Sequence, residues 1–93
     1  MKNLEIPTKL KNQLSRLLLN DGEVISKMCR DGTNEVLFQL SQYIIKDKEL
    51  PSYGQSIYGL FGCFNGKYHL LYLSYTKEMI ENEFTEYVVQ YAA

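Results

Sequence analysis

Tryptophan is absent from this 93-residue chain, histidine occurs once, and cysteine and proline occur twice each. Each scarcity excludes something. Cys29 and Cys63 are too few for a disulfide framework, and they form no CxxC or Cys/His spacing that would hold zinc. They read as small reduced hydrophobes, which places the protein inside a cell. Gly and Pro together number only eight, which excludes collagen-like and low-complexity classes. Charge of one sign is missing too. Ten basic side chains face eleven acidic ones, for a net charge of -1, so the chain is not a generic polyanion binder. Long apolar runs are also lacking. Leu17-Leu18-Leu19 is too short for a signal-peptide core. The densest apolar region, Ile57 to Tyr75, is broken by Gly59, Gly62, Asn65, Gly66, Lys67 and His69. Nothing approaches the ~18 apolar residues of a membrane span. The expected location is cytoplasmic.

What remains is 45% apolar, with 13 leucines and 8 tyrosines. Thr8 is placed to cap a helix whose stripe is Leu10, Leu14, Leu17 and Leu18, stopped by Asn20-Asp21-Gly22. In Glu23 to Arg30, the residues Val24, Ile25, Met28 and Cys29 fall at helical spacing and predict a short helix. A competing pattern pairs 24–30 with 33–38 as strands across Asp31-Gly32, a two-residue hairpin signal. Thr33 can cap a third helix running to Lys48, with Val36, Leu37, Leu40 and Ile44 as its stripe and Phe38 and Ile45 well off it. Asn65-Gly66 predicts a type I′ hairpin in which Leu60 opposes Leu71 and Gly59 opposes Tyr72. A last helix over 77–91 carries the stripe Ile80, Phe84, Tyr87, Val88 and Tyr91. The expected fold is a small α+β single domain over 1–93. It has three N-terminal helices, one antiparallel β-hairpin (57–64/67–74) and a C-terminal helix. The near-neutral charge is a cancellation. Residues 1–20 carry Lys2, Lys9, Lys11 and Arg16 against Glu5, and the last helix carries four Glu against Lys77.

Catalytic chemistry is sparse. His69 and Cys63 invite a dyad, but in the hairpin register they point to opposite faces. The serines lack nucleophile-elbow spacing. The glutamates at 78, 81, 83 and 86 have neither histidine company nor a calcium-loop glycine. No phosphate-binding glycine motif is present. The sequence predicts no catalytic residue, no metal site, no cofactor and no enzyme.

The order helix, helix, helix, β-hairpin, helix resembles a winged helix. Gly66-Lys67-Tyr68-His69-Leu70-Leu71-Tyr72-Leu73-Ser74-Tyr75-Thr76 looks like the wing-to-last-helix passage of small bacterial repressors. The resemblance implies a DNA-binding regulator with 22–30 and 33–48 as the helix-turn-helix. Gln39, Gln42 and Lys46 would face the groove, and Lys67 would sit at the wing tip. That helix offers only one base, Lys46, beside Glu35, where a reading helix needs basic flanks for phosphate. A stacking sheet for RNA, using Phe61, Tyr68 and Tyr72, lacks neighbouring cations too. Nucleic acid is therefore the second reading.

The first is a non-enzymatic intracellular module that binds another protein. It would act as antitoxins, immunity proteins or phage-encoded inhibitors of host defence do, with self-association into a homodimer as part of the same expectation. Phe38 and Ile45, off the helical stripe, and Tyr58, Tyr68 and Tyr72, on a hairpin apolar on both faces, are the expected contact residues. Tyrosine supplies large area with a polar tip, as interfaces use it.

Overall fold

The computed structural model describes residues 6–15 and 24–91. They form α1 (Thr8–Ser15), β1 (Val24–Asp31), β2 (Asn34–Ile44), β3 (Ser56–Phe64), β4 (Lys67–Ser74) and α2 (Lys77–Tyr91). The four strands make one antiparallel sheet in chain order, β1-β2-β3-β4. Two tight turns dictate this meander. Gly32 has φ 65 and Thr33 a negative φ, the sign pattern of a type II′ turn. Asn65 and Gly66, with φ 52 and 79, give the type I′ pattern. Both turn types match the twist of the strands they join. Between β2 and β3 the chain makes a longer loop, closed at its neck. The Ile45 N–H donates to the Gln55 carbonyl at 2.9 Å, and the Gly54 N–H donates to the Ile45 carbonyl at 2.8 Å.

The sheet overturns the expectation of three N-terminal helices. Strands β1 and β2 occupy the stretches where the helices 23–30 and 33–48 were expected, and Thr33 is a turn residue rather than a cap. The physical reason is visible in β2. A helix leaves Phe38 stranded outside its stripe. A strand puts Val36, Phe38 and Leu40 on one face, all buried. A central strand has a neighbour on each side and cover on each face, so apolar residues at adjacent positions are satisfied in a way that mimics a wide helical stripe. Of the first helix, Leu10 and Leu14 are buried as predicted. Leu17, Leu18 and the Asn20-Asp21-Gly22 stop lie outside the described residues. Helix α2 keeps its predicted span, with Thr76 at its N-cap: the Ile80 N–H donates to the Thr76 carbonyl at 3.2 Å.

Each face of the sheet is covered by a different helix. Under α2, Ile80 and Phe84 meet Leu40 and Leu60, while Phe84, Tyr87, Val88 and Tyr91 pack on Cys29, Val36 and Phe38. Phe38 is the centre of this layer, with Tyr91, Tyr87 and Phe64 ring centroids at 5.2, 5.4 and 6.1 Å. On the opposite face Leu10 and Leu14 of α1 pack with Tyr43, Ile45, Ile57 and Phe61. Helices α1 and α2 therefore lie on opposite faces of the sheet.

The β3–β4 hairpin follows the predicted register from Phe64↔Lys67 to Phe61↔Leu70 and then slips by one at a bulge. Leu60 opposes Tyr72, and Gly59 opposes Leu73. The slip sends both Leu71 and Tyr72 towards α2, which gains an apolar side chain that strict alternation would have aimed elsewhere. Gly62 lies beneath this crowding. A Cβ there would sit 2.6 Å from the Phe64 ring and 2.9 Å from a Leu71 methyl. Gly62→Ala is expected to destabilise by about 1–3 kcal/mol through overpacking, read by denaturant unfolding.

Helix α1 is tethered by charge as well as by its leucines. The Lys9 ammonium lies 2.7 Å from the Asp47 carboxylate and 3.9 Å from that of Glu49. Its hydrogen bond to Asp47 raises the Lys9 pKa, and the same bond, helped by the Glu49 N–H, lowers that of Asp47. A lowered carboxyl contributes above its ordinary titration range, and the contribution is lost as pH falls through the folded value. Asp47→Asn is expected to speed amide hydrogen exchange in α1 while β2 and β3 keep their protection, at fixed neutral pH.

Candidate functional site

Among the described residues no group of three His, Cys, Asp or Glu side chains could hold a metal, and no helix is long and apolar enough to cross a membrane. Cys63 opposes Tyr68 and His69 opposes Gly62, so thiol and imidazole sit on opposite faces of the sheet. A depression at the start of α2, lined by Ile25, Leu40, Gln42, Tyr58 and Lys77, encloses about 10 Å³, room for one water. Neither is a place for substrate chemistry.

The feature that stands out is the part of the sheet that α1 does not reach. Register alone builds it. Met28 pairs with Leu37, Leu37 with Cys63, and Cys63 with Tyr68, so one straight row crosses all four strands. Alternation puts that row on the face opposite α2. Its outer members are open to solvent, Met28 at 51% and Tyr68 at 47% exposure, and Leu37 and Cys63 between them are partly exposed. The neighbouring rows on this face are polar at the same strands: Arg30 and Glu35 towards the turns, Ser26 and Gln39 on the other side. An apolar strip with a polar margin is the usual anatomy of a protein contact surface. Beside it, Gln39 Oε1 and Ser41 Oγ are buried without a hydrogen-bond partner among the described residues.

The residues expected at the site from sequence are scattered by the fold. Phe38 is fully buried under α2, and Ile45 is buried beneath α1, so both serve the interior and neither offers surface to a partner. Tyr58 and Tyr72 are partly buried against the Ile80 layer under α2. Only Tyr68 of that set belongs to the open row. The residues of the DNA-binding alternative separate as well. Gln39 and Gln42, one helical turn apart in the helix reading, lie on opposite faces of β2. The Gln42 amide donates to Ser56 Oγ at 3.1 Å. Lys46 is exposed in the loop after β2 and Lys67 at the far end of the sheet, so the helix-turn-helix that would have united them is not formed.

Met28, Leu37 and Cys63 are the residues that sequence reasoning missed. The signal that finds them is the hairpin alternative at residue 32: with 24–31 and 34–44 read as strands, period two places Met28 and Leu37 on one face. No family model, curated protein or solved structure matches this chain.

Proposed function

We propose that this protein is a non-enzymatic binding module that works inside the cell by docking the Met28–Leu37–Cys63–Tyr68 row onto another protein, as an inhibitor or neutralising partner does. The observation that carries this reading is the row itself: four apolar or aromatic side chains aligned across the whole sheet, partly to half open, with polar neighbours on β1 and β2. Its chemistry suits a protein rather than a nucleic acid. Tyrosine gives area and a polar tip, and methionine adapts to an irregular partner surface. The only cation on the adjoining row is Arg30, opposite Glu35, which is too little positive charge to follow a phosphate backbone. The test is affinity capture from source cells with the wild type and with Tyr68→Glu in parallel. A partner held by the first and released by the second is the expected result.

A further inference from the structure

The outer edge of β1 carries a second, independent message. No strand among the described residues pairs with it, and its side chains from Ile25 to Met28 are exposed. The other edge, β4, is guarded: the Leu71 bulge breaks its regularity, and its Leu70 and Leu73 pack into the cluster under α1. Strand β1 pairs with β2 over eight residues without a register shift. Which of its backbone groups are free follows from the turn. A two-residue loop makes Asp31 and Asn34 a hydrogen-bonded pair, so Asp31, Cys29, Lys27 and Ile25 bond inward to β2. The N–H and C=O groups of Val24, Ser26, Met28 and Arg30 point outward.

We infer that β1 is the seam of a homodimer, pairing antiparallel with β1 of a second copy to make a continuous eight-stranded sheet. Among the registers that pair at least seven of the eight residues of β1, side chains select one. A two-fold centred between residues 27 and 28 of each strand is ruled out, because outward groups must face outward groups. A two-fold at residue 27 satisfies the backbone and sets Lys27 against Lys27, like charges directly opposed. A two-fold at Met28 satisfies the backbone and sets Met28 against Met28, Ser26 against Arg30, and Lys27 against Cys29. It opposes no like charges. Lys27 then lies on the α2 side of the sheet, facing Cys29 of the second copy and no like charge. The two Met28 rows also meet, joining both copies of the open strip into one surface eight strands wide. This use of the strip rests on the proposed binding function; the pairing itself does not.

Sedimentation velocity at high micromolar concentration reads the pairing directly, and a dimer is expected. Ser26→Pro deletes an outward N–H that the fold does not use, so it should abolish the dimer and leave the circular dichroism spectrum intact. Met28→Lys, which opposes two ammonium groups at the axis, should do the same without any backbone change. Met28→Cys tests the register. Hydrogen-bonded pairs hold Cα atoms about 5.5 Å apart, within the roughly 4.4–6.8 Å a disulfide spans. Mild oxidation should therefore link residue 28 to residue 28, located by peptide mass spectrometry, while Ser26→Cys should not link to itself. A monomeric wild type overturns the inference. So does a dimer that survives both Ser26→Pro and Met28→Lys, or one that cross-links through residue 26. Partner capture is scored with Ser26→Pro alone, because residue 26 lies outside the Met28–Leu37–Cys63–Tyr68 row, so loss of the seam and loss of the binding function are told apart.

Discussion

Phe38→Ala is expected to lower the free energy of unfolding by about 3–5 kcal/mol, the usual cost of truncating a buried aromatic to alanine. The ring has no solvent exposure and sits within about 6 Å of three aromatic rings, two of them on α2. Its removal leaves a cavity between sheet and helix that neither rigid layer can close. A domain of this size has a total stability of only about 5–15 kcal/mol, so the variant is expected to be partly unfolded at physiological temperature. Tyr68→Ala, by contrast, should change stability by less than about 1 kcal/mol, because half of that side chain is already in water. Chemical denaturation of the two variants side by side checks the division. Equal losses would place Phe38 at the surface, where the sequence had put it.

The second large effect concerns binding. Tyr68→Ala and Leu37→Glu are each expected to weaken capture of the partner by about 30-fold or more, equivalent to ~2 kcal/mol, as truncation or charging of a central interface residue does. Val89→Glu is the matched control. Among the described residues Val89 is the most exposed of the large apolar side chains, at 70%, but it lies on α2 and so across the sheet from the row. It should leave capture unchanged. Isothermal titration against the captured partner gives the numbers. If Val89→Glu abolished binding while Leu37→Glu spared it, the functional surface would be the acidic helix instead.

Local chemistry made some of this fold legible and tertiary context hid the rest. Helix α2 could be read because Ile80, Phe84, Tyr87, Val88 and Tyr91 form one stripe that faces one neighbour, the sheet. The turn at Asn65-Gly66 could be read because positive φ at two successive residues demands those residue types. The bulge at Leu71 could not, since it answers to α2, a segment distant in sequence. Strand β2 was misread for the same kind of reason. Val36, Leu37, Leu40 and Ile44 satisfy a helical period, and what argues for strands is the cost of leaving Phe38 and Ile45 outside it, together with the hairpin signal before Thr33. The hairpin alternative was one residue out of place, with the turn at Gly32-Thr33 rather than Asp31-Gly32. The observed turn puts glycine at the first central position, where a type II′ turn takes it, and asks positive φ of no other residue, whereas a type I′ turn would have asked it of Asp31 as well. The candidate site inherits these errors. Tyr68 was visible because its hairpin was, whereas Met28, Leu37 and Cys63 become neighbours only once three separate registers are set.

The central claim is that the open face of the sheet, and not α2 or the charged loop after β2, is where this protein meets its partner. Quantitative affinity capture from source cells with wild type, Leu37→Glu, Tyr68→Ala and Val89→Glu, each first shown to be folded, tests it most directly. A protein retained by wild type and Val89→Glu and lost with Leu37→Glu and Tyr68→Ala is the predicted result. Identical capture by all four, or none by the wild type, would contradict the account.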